Sequence, residues 1–252
     1  MGPMPTPPSK APPPPVRLPV RRRVNPMFFE AYRGRPPWDI GRAQPAFVEL
    51  ANEGRMPGSL LDLGCGTGDN VLEMADQGHD AWGIDIVPAA IQQAEAKMHL
   101  RGLDGQAHFL VGDALELEEV GRTFDTVIDC GLYHGLSDPE RELYERSIRS
   151  VSHPGTLLHI MALSDWEEDW GGPRRISQAE LLDTFRAGWR CEDIREARFL
   201  TNFPRIRGHA WLATFVREAE KPKRKKPTAR TVEPLKVVEA ALPPAAVTVA
   251  PA

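Results

Sequence analysis

The stretch LLDLGCGTGDN, Leu60 to Asn70, decides the fold. A run of strand character meets three glycines, Gly64, Gly66 and Gly68. Apolar Val71, Leu72 and Ala75 then predict a helix over residues 69–77. Glycine lets the chain turn tightly and lets a bound molecule approach the main chain. In an open α/β sheet, ligands bind at this carboxyl end of the strands.

The flanking sequence agrees. Gln44 to Glu53 reads as a short amphipathic helix and Ser59 to Leu63 as the first strand. Ala81 to Ile86 is the second strand. Pro88 and Gly102 then bracket a helix whose apolar stripe is Ile91, Ala94 and Met98. Ala107 to Val111 is the third strand, and the fourth centres on Thr126 to Asp129. Ser137, Asp138 and Pro139 start a helix with Tyr144, Ile148 and Val151 on one face, and Thr156 to Leu163 is the fifth strand. Ser177 and Glu180 have capping-box spacing for a helix ending near Gly188. Strands over 191–199 and 210–217 complete the body. Strands separated by helices predict an α/β fold, with a mostly parallel sheet and helices on both faces.

Four places at the carboxyl edge carry chemistry. Asp62 precedes the first glycine by two, and Asp69 follows the third, giving G-x-G-x-G rather than G-x-G-x-x-G. An acidic turn is a poor seat for a pyrophosphate. It suits a ligand with an amino group and no phosphate, such as S-adenosylmethionine, lined by Gly64, Cys65, Gly66 and Gly68. Asp85, followed by Ile86, ends the second strand; it reads as an acceptor for both ribose hydroxyls or as a turn residue. Asp113 and Ala114 in VGDAL read as an adenine contact or an Asx-type turn. In FDTVIDCGLYH, 124–134, Asp129 and Cys130 are expected to face the methionine part of the cofactor. Tyr133 and His134 are candidates to take a proton from an acceptor, although His134 reads equally as a structural hydrogen-bonder. Cys130 reads as small apolar filler rather than a nucleophile.

This set, in this order, resembles the class I S-adenosylmethionine-dependent methyltransferases over roughly residues 40–220. The resemblance implies a Rossmann-like, doubly wound, seven-stranded sheet with the last strand antiparallel. It places the methionine end at Gly64, Gly66 and Gly68, ribose at Asp85 and adenine at Asp113. Upstream, GRPPWDIGRAQPAFVEL, Gly34 to Leu50, is similar to the branch holding thiopurine, thiol and halide methyltransferases. That likeness gives Trp38 a place closing the cofactor pocket, with Asp39 and Arg42 beside it. The other reading of Trp38 is an anchor for the N-terminal segment. Asp39 joins Tyr133 and His134 as a catalytic candidate. Acceptor specificity is expected on Phe28 to Ile40 and Ser164 to Ile176, where Trp166, Arg174 and Arg175 suit a flat or anionic molecule or else pack a loop. The acceptor is expected to be small: a thiol, a halide, or a hydroxy- or aza-heterocycle.

Charge and composition set outer bounds. The 252 residues carry a formal net charge of −4, but residues 1–25 and 221–252 each carry +5, leaving −14 over 26–220. An acidic body is unlike a nucleic-acid enzyme, and Asp129-Cys130-Gly131-Leu132 stands where Asp/Asn-Pro-Pro-aromatic would mark amino-methylation of nucleic acid. Residues 1–25 (proline-rich) and 221–252 (basic, then Pro/Ala-rich) read as disordered tails around a domain over 26–220. Three scattered cysteines, no apolar leader and no long apolar run predict a monomeric cytoplasmic protein with neither metal site nor membrane insertion. A non-catalytic adenosylmethionine-binding scaffold and an NAD-dependent oxidoreductase remain as alternatives.

Overall fold

The computed structural model describes residues 16–20, 25–204 and 206–219. The predicted tail over 221–252, and the predicted N-terminal tail apart from residues 16–20 and 25, lie outside them. The strands are β1 (Val16–Arg17), β2 (Leu60–Leu63), β3 (Ala81–Asp85), β4 (Ala107–Val111), β5 (Phe124–Cys130), β6 (Ser152–Leu163), β7 (Trp189–Arg198) and β8 (His209–Arg217). The helices are α1 (Pro26–Ala31), α2 (Pro45–Asn52), α3 (Asp69–Asp76), α4 (Pro88–Arg101), α5 (Asp138–Ser150) and α6 (Gln178–Thr184).

The sheet order is β1-β4-β3-β2-β5-β6-β8-β7. All pairs are parallel except those of β8, which runs antiparallel to both β6 and β7. The expected doubly wound sheet is therefore present, with one strand more than seven. The addition comes from the stretch read as a tail. Val16 and Arg17 pair with Leu110 and Val111, and the Leu18 N–H donates to the Val111 carbonyl at 2.8 Å. An uncovered β4 edge would present unpaired backbone groups, and these residues satisfy some of them.

Side-chain alternation splits the core into two slabs. Leu61 and Leu63 of β2 point to one face, with Tyr144 and Ile148 of α5 and Leu181 of α6. Leu60 points to the other, with Phe47 and Leu50 of α2, Leu72 of α3 and Ile91 of α4. The same alternation turns Asp62 toward the second slab. Helix boundaries follow the sequence signals, including the Ser177–Glu180 capping box that starts α6. α6 ends at Thr184, short of Gly188, with Phe185 as its buried C-cap.

The tightest joint is Gly68, the N-cap of α3, at φ +79°. A Cβ there would lie 2.7 Å from the Phe109 ring and 2.8 Å from Ala94 Cβ. β4, α3 and α4 thus meet at a point only glycine fits. Gly68→Ala should destabilise the protein by about 2 kcal/mol or more through strain and overpacking. A urea midpoint equal to wild type would show that the joint can relax.

Candidate functional site

Four strand ends deliver the site to one edge of the sheet. After β2, Gly64 and Cys65 donate their N–H groups to the Ile84 carbonyl at 2.9 and 3.0 Å. Gly66 N–H donates to the Asp85 carboxylate at 2.9 Å, and Val87 N–H donates to its other oxygen at 2.8 Å. Asp85 therefore stitches the glycine turn to the end of β3. Burial pushes its carboxyl up to about 6, against the pull of those N–H groups. Ile86 packs beside Tyr32, Val87 and Ala90.

Asp62 has no such support. It is fully buried, and neither carboxylate oxygen has a hydrogen-bond partner among the described residues. Burial first, and the negative charge of Asp129 second, hold its carboxyl well above the usual range, against the pull of the nearby Asn70 amide, which stands short of a full hydrogen bond. A buried carboxylate without a partner at a glycine turn fits a cationic group. The amino group of S-adenosylmethionine is one, whereas a pyrophosphate would add repulsion.

The turn opens into a cleft open to solvent. Gly64, Cys65, Gly66, Thr67, Asp69 and Asn70 line it together with Trp38, Asp39, Ile40, Arg42, Cys130 and Phe199. Burial raises both the Cys65 and Cys130 thiols, so neither is a ready nucleophile.

The N-terminal arm covers this cleft. Trp38 donates its indole N–H to the Tyr32 hydroxyl at 3.1 Å and meets the Phe28 and Tyr32 rings edge-on. The Asp39 carboxylate accepts from Thr67 at 3.0 Å and from Gly41 N–H at 2.9 Å. Lys97 of α4 donates to Thr67 at 2.7 Å and pairs with Asp69 at 2.8 Å. Gln44 joins three segments: its N–H donates to Asn70, and its side-chain amide exchanges two hydrogen bonds with the Leu200 backbone at 2.8 and 3.0 Å. Asn202 donates to the Pro37 and Asp39 carbonyls.

Several expected site residues are placed elsewhere. Asp129 turns inward, accepting from Leu132 and Tyr133 N–H groups at 2.8 and 3.0 Å and from the Tyr144 hydroxyl. Its burial pushes the carboxyl up to about 7. Tyr133 sends its hydroxyl to Thr184 at 2.6 Å, on the α6 side of the sheet. His134 is buried, and its Nδ1 accepts the Leu163 N–H at 3.1 Å, which leaves the ring proton on Nε2. Burial and the charges of Arg175 and Arg141 lower its pKa to about 3. Neither ring is set up as a base.

Trp166 is exposed and packs against Trp211, away from the cleft. Arg174 pairs with Asp138 and Glu180, while Arg175 bonds the Glu168 carbonyl and covers the Trp170 ring. Asp113 is buried and accepts from Leu115 N–H at 3.0 Å, the Asx-type turn, with Ala114 buried beside it. Sequence reasoning missed Tyr32, Gln44, Thr67, Asn70, Lys97 and Phe199. Thr67 and Asn70 lay inside the decisive stretch, but nothing local marked Phe199.

A methyltransferase domain family model matches residues 60–155. A 2-heptyl-1-hydroxyquinolin-4(1H)-one methyltransferase from Mycobacteroides abscessus is 34% identical over 193 residues, 73% of this chain and 85% of that protein. The chain belongs to the S-adenosylmethionine-dependent methyltransferases. A structure solved in work on conversion of a disulfide bond into a thioacetal group during echinomycin biosynthesis is 36% identical, with a TM-score of 0.70. The match covers 77% of this methyltransferase and 93% of that chain. A probable thiol methyltransferase of Arabidopsis thaliana is 28% identical, over 58% of this chain and 65% of its own. S-adenosylmethionine is the family's methyl donor. In this chain Asp62 and the Gly64–Gly68 turn are suited to its amino-acid end. Among the described residues, no helix is long and apolar enough to cross a membrane, and no cluster of three or more His, Cys, Asp or Glu side chains is arranged for a metal.

The buried acids give the methyltransferase a pH signature. The raised carboxyls of Asp62, Asp85 and Asp129 make the folded protein bind more protons than the unfolded chain from about pH 4 to 7, while His134 and His159, lowered by burial to about 3 and about 4, oppose this up to about pH 6.5 without outnumbering the three acids. Stability contributed by their protonated forms is therefore lost as pH rises through that window. Acids held below their usual range, such as Asp125 and Glu180, exert their pH effect below it. The melting temperature of the unliganded protein should fall from about pH 5 to 7.5. Asp62→Asn should raise it at the upper end by a few degrees, roughly, while weakening S-adenosylhomocysteine. A flat profile, or a D62N variant that melts lower, would contradict this.

Proposed function

We propose that this methyltransferase transfers the methyl group of S-adenosylmethionine to a small planar acceptor, a hydroxylated nitrogen heterocycle. The observation that carries this is the 34% identity to the hydroxyquinolone methyltransferase over most of both chains. Sulfur is the second reading, favoured by the 36% identity to the structure from the thioacetal work.

Both acceptor classes suit a site that supplies no strong base. His134 is held neutral with Nδ1 engaged, the Tyr133 hydroxyl is bound to Thr184, and the Asp39 carboxylate is held by Thr67 and Gly41. An acidic N-hydroxyl or a thiol supplies its own anion near neutral pH, so the protein need only align it and exclude water. The cofactor, when bound, supplies the electrophilic methyl and its own leaving group.

Incubation with S-adenosylmethionine carrying a trideuterated methyl group, followed by mass spectrometry, tests the reading. Label should appear on 1-hydroxy-2-alkylquinolin-4-ones. Label on thiols alone would favour the second reading, and label on neither, in a protein that binds S-adenosylhomocysteine, would refute both. Asp85→Ala should lower S-adenosylhomocysteine affinity by about tenfold or more, since it loosens the turn as well as the expected ribose contact. His134→Gln should keep kcat within about tenfold, with a pH profile that follows the acceptor's own pKa. A limb near neutrality that vanishes in H134Q would restore the base role.

A further inference from the structure

The cleft lining is chemically mixed. The glycine turn with Thr67, Asp69 and Asn70 is polar and suits the amino-acid end of the cofactor. The arm adds Asp39 and Arg42 as well as Trp38 and Ile40, and Cys130 and Phe199 add apolar surface that such a group does not need. In-line methyl transfer requires the acceptor beyond the methyl, on the side away from the turn.

Phe199 is tightly fixed among those apolar residues. It is 5% exposed and follows the last residue of β7. His134 meets its ring edge-on, with centroids 5.7 Å apart. Gly131, at φ +83°, lets the ring approach: a Cβ there would lie 2.8 Å from Phe199 Cε2. The backbone is pinned too, since Phe199 N–H donates to the Gly208 carbonyl at 2.8 Å. The next residue, Leu200, is the one Gln44 grips from the arm by both sides of its amide. His134, Gly131 and Gln44 thus hold one aromatic ring at the cleft.

We propose that Phe199 is the specificity-determining surface of the acceptor site, the ring against which a planar aromatic acceptor packs. His134 and Gln44 act as positioning residues behind it. This rests on the reading of the protein as a methyltransferase of planar acceptors, and names where that acceptor sits. It replaces the expected acceptor contacts at Trp166, Arg174 and Arg175, whose side chains are engaged elsewhere. An offset or edge-on ring contact adds to the area buried, and losing it costs about tenfold in affinity.

Binding separates this from catalysis. Protein saturated with S-adenosylhomocysteine is titrated calorimetrically with 2-heptyl-1-hydroxyquinolin-4-one and with thiophenol, using wild type, F199A, F199L and F199Y. Free protein is titrated with S-adenosylhomocysteine alone. The expected result is about tenfold weaker binding of the planar probes to F199A and F199L, and affinity within about threefold of wild type in F199Y. S-adenosylhomocysteine affinity should be unchanged in all, and F199L, which keeps apolar volume, should retain a cooperative melt. Equal probe affinity in all four proteins, a parallel loss of S-adenosylhomocysteine affinity in F199L, or no binding of either planar probe to saturated wild type would overturn the proposal. Binding that depends on Phe199 without methyl transfer to the quinolone would keep the site and refute the heterocycle activity.

Discussion

Asp62 is a carboxylate buried in the sheet with neither oxygen bonded, and the carboxyl edge is arranged around it. An unpaired buried charge is costly enough that the group instead holds its proton. Its acidic neighbours have met the same problem differently. Asp85 spends its oxygens on Gly66 and Val87, and Asp129 spends its own on Leu132, Tyr133 and Tyr144. Of the three, Asp62 alone lacks a full hydrogen bond among the described residues, with only the Asn70 amide nearby, next to the glycines that let a ligand reach the main chain. The methyltransferase thus gives up stability in the unliganded state at the place where a cation would return it.

The sequence made this edge legible because its signals are local. Strand alternation, glycine spacing and the helix caps act over a few residues, and they placed every main strand and the turn. The side-chain directions around the end of β5 were harder to read. Asp129 is paired with Leu63 inside β5, so strand alternation turns it toward α5. At Gly131 the chain takes a positive φ and enters a short 3₁₀ turn, so position after the strand is no guide to where Tyr133 and His134 point. Tyr133 then faces α6, and His134 caps the end of β6.

The arginines are a different case. Arg174 and Arg175 look available until folding brings Asp138, 36 residues away in sequence, and the Glu168 carbonyl to them. Phe199 was invisible for the complementary reason. It reaches the cleft because β8 inserts between β6 and β7, so the loop between β7 and β8 comes back over the arm. Val16 and Arg17 were likewise assigned to a tail because composition says nothing of an open strand edge nearby.

Under the proposed function, the arm and that loop would let one scaffold suit acceptors as different as a thiol and a hydroxylated heterocycle. Gln44 and Asn202 fix the arm to the loop through backbone atoms, a geometry set by the chain and not by acceptor chemistry. His134, behind the cleft, is kept neutral by burial and by Arg175 and Arg141. If the proposed function holds, a site built this way would discriminate on two physical properties: whether the nucleophile is already ionised, and whether its ring fits the apolar surface of the wall. Changing the acceptor would then require no new catalytic group, only a different side chain on the wall.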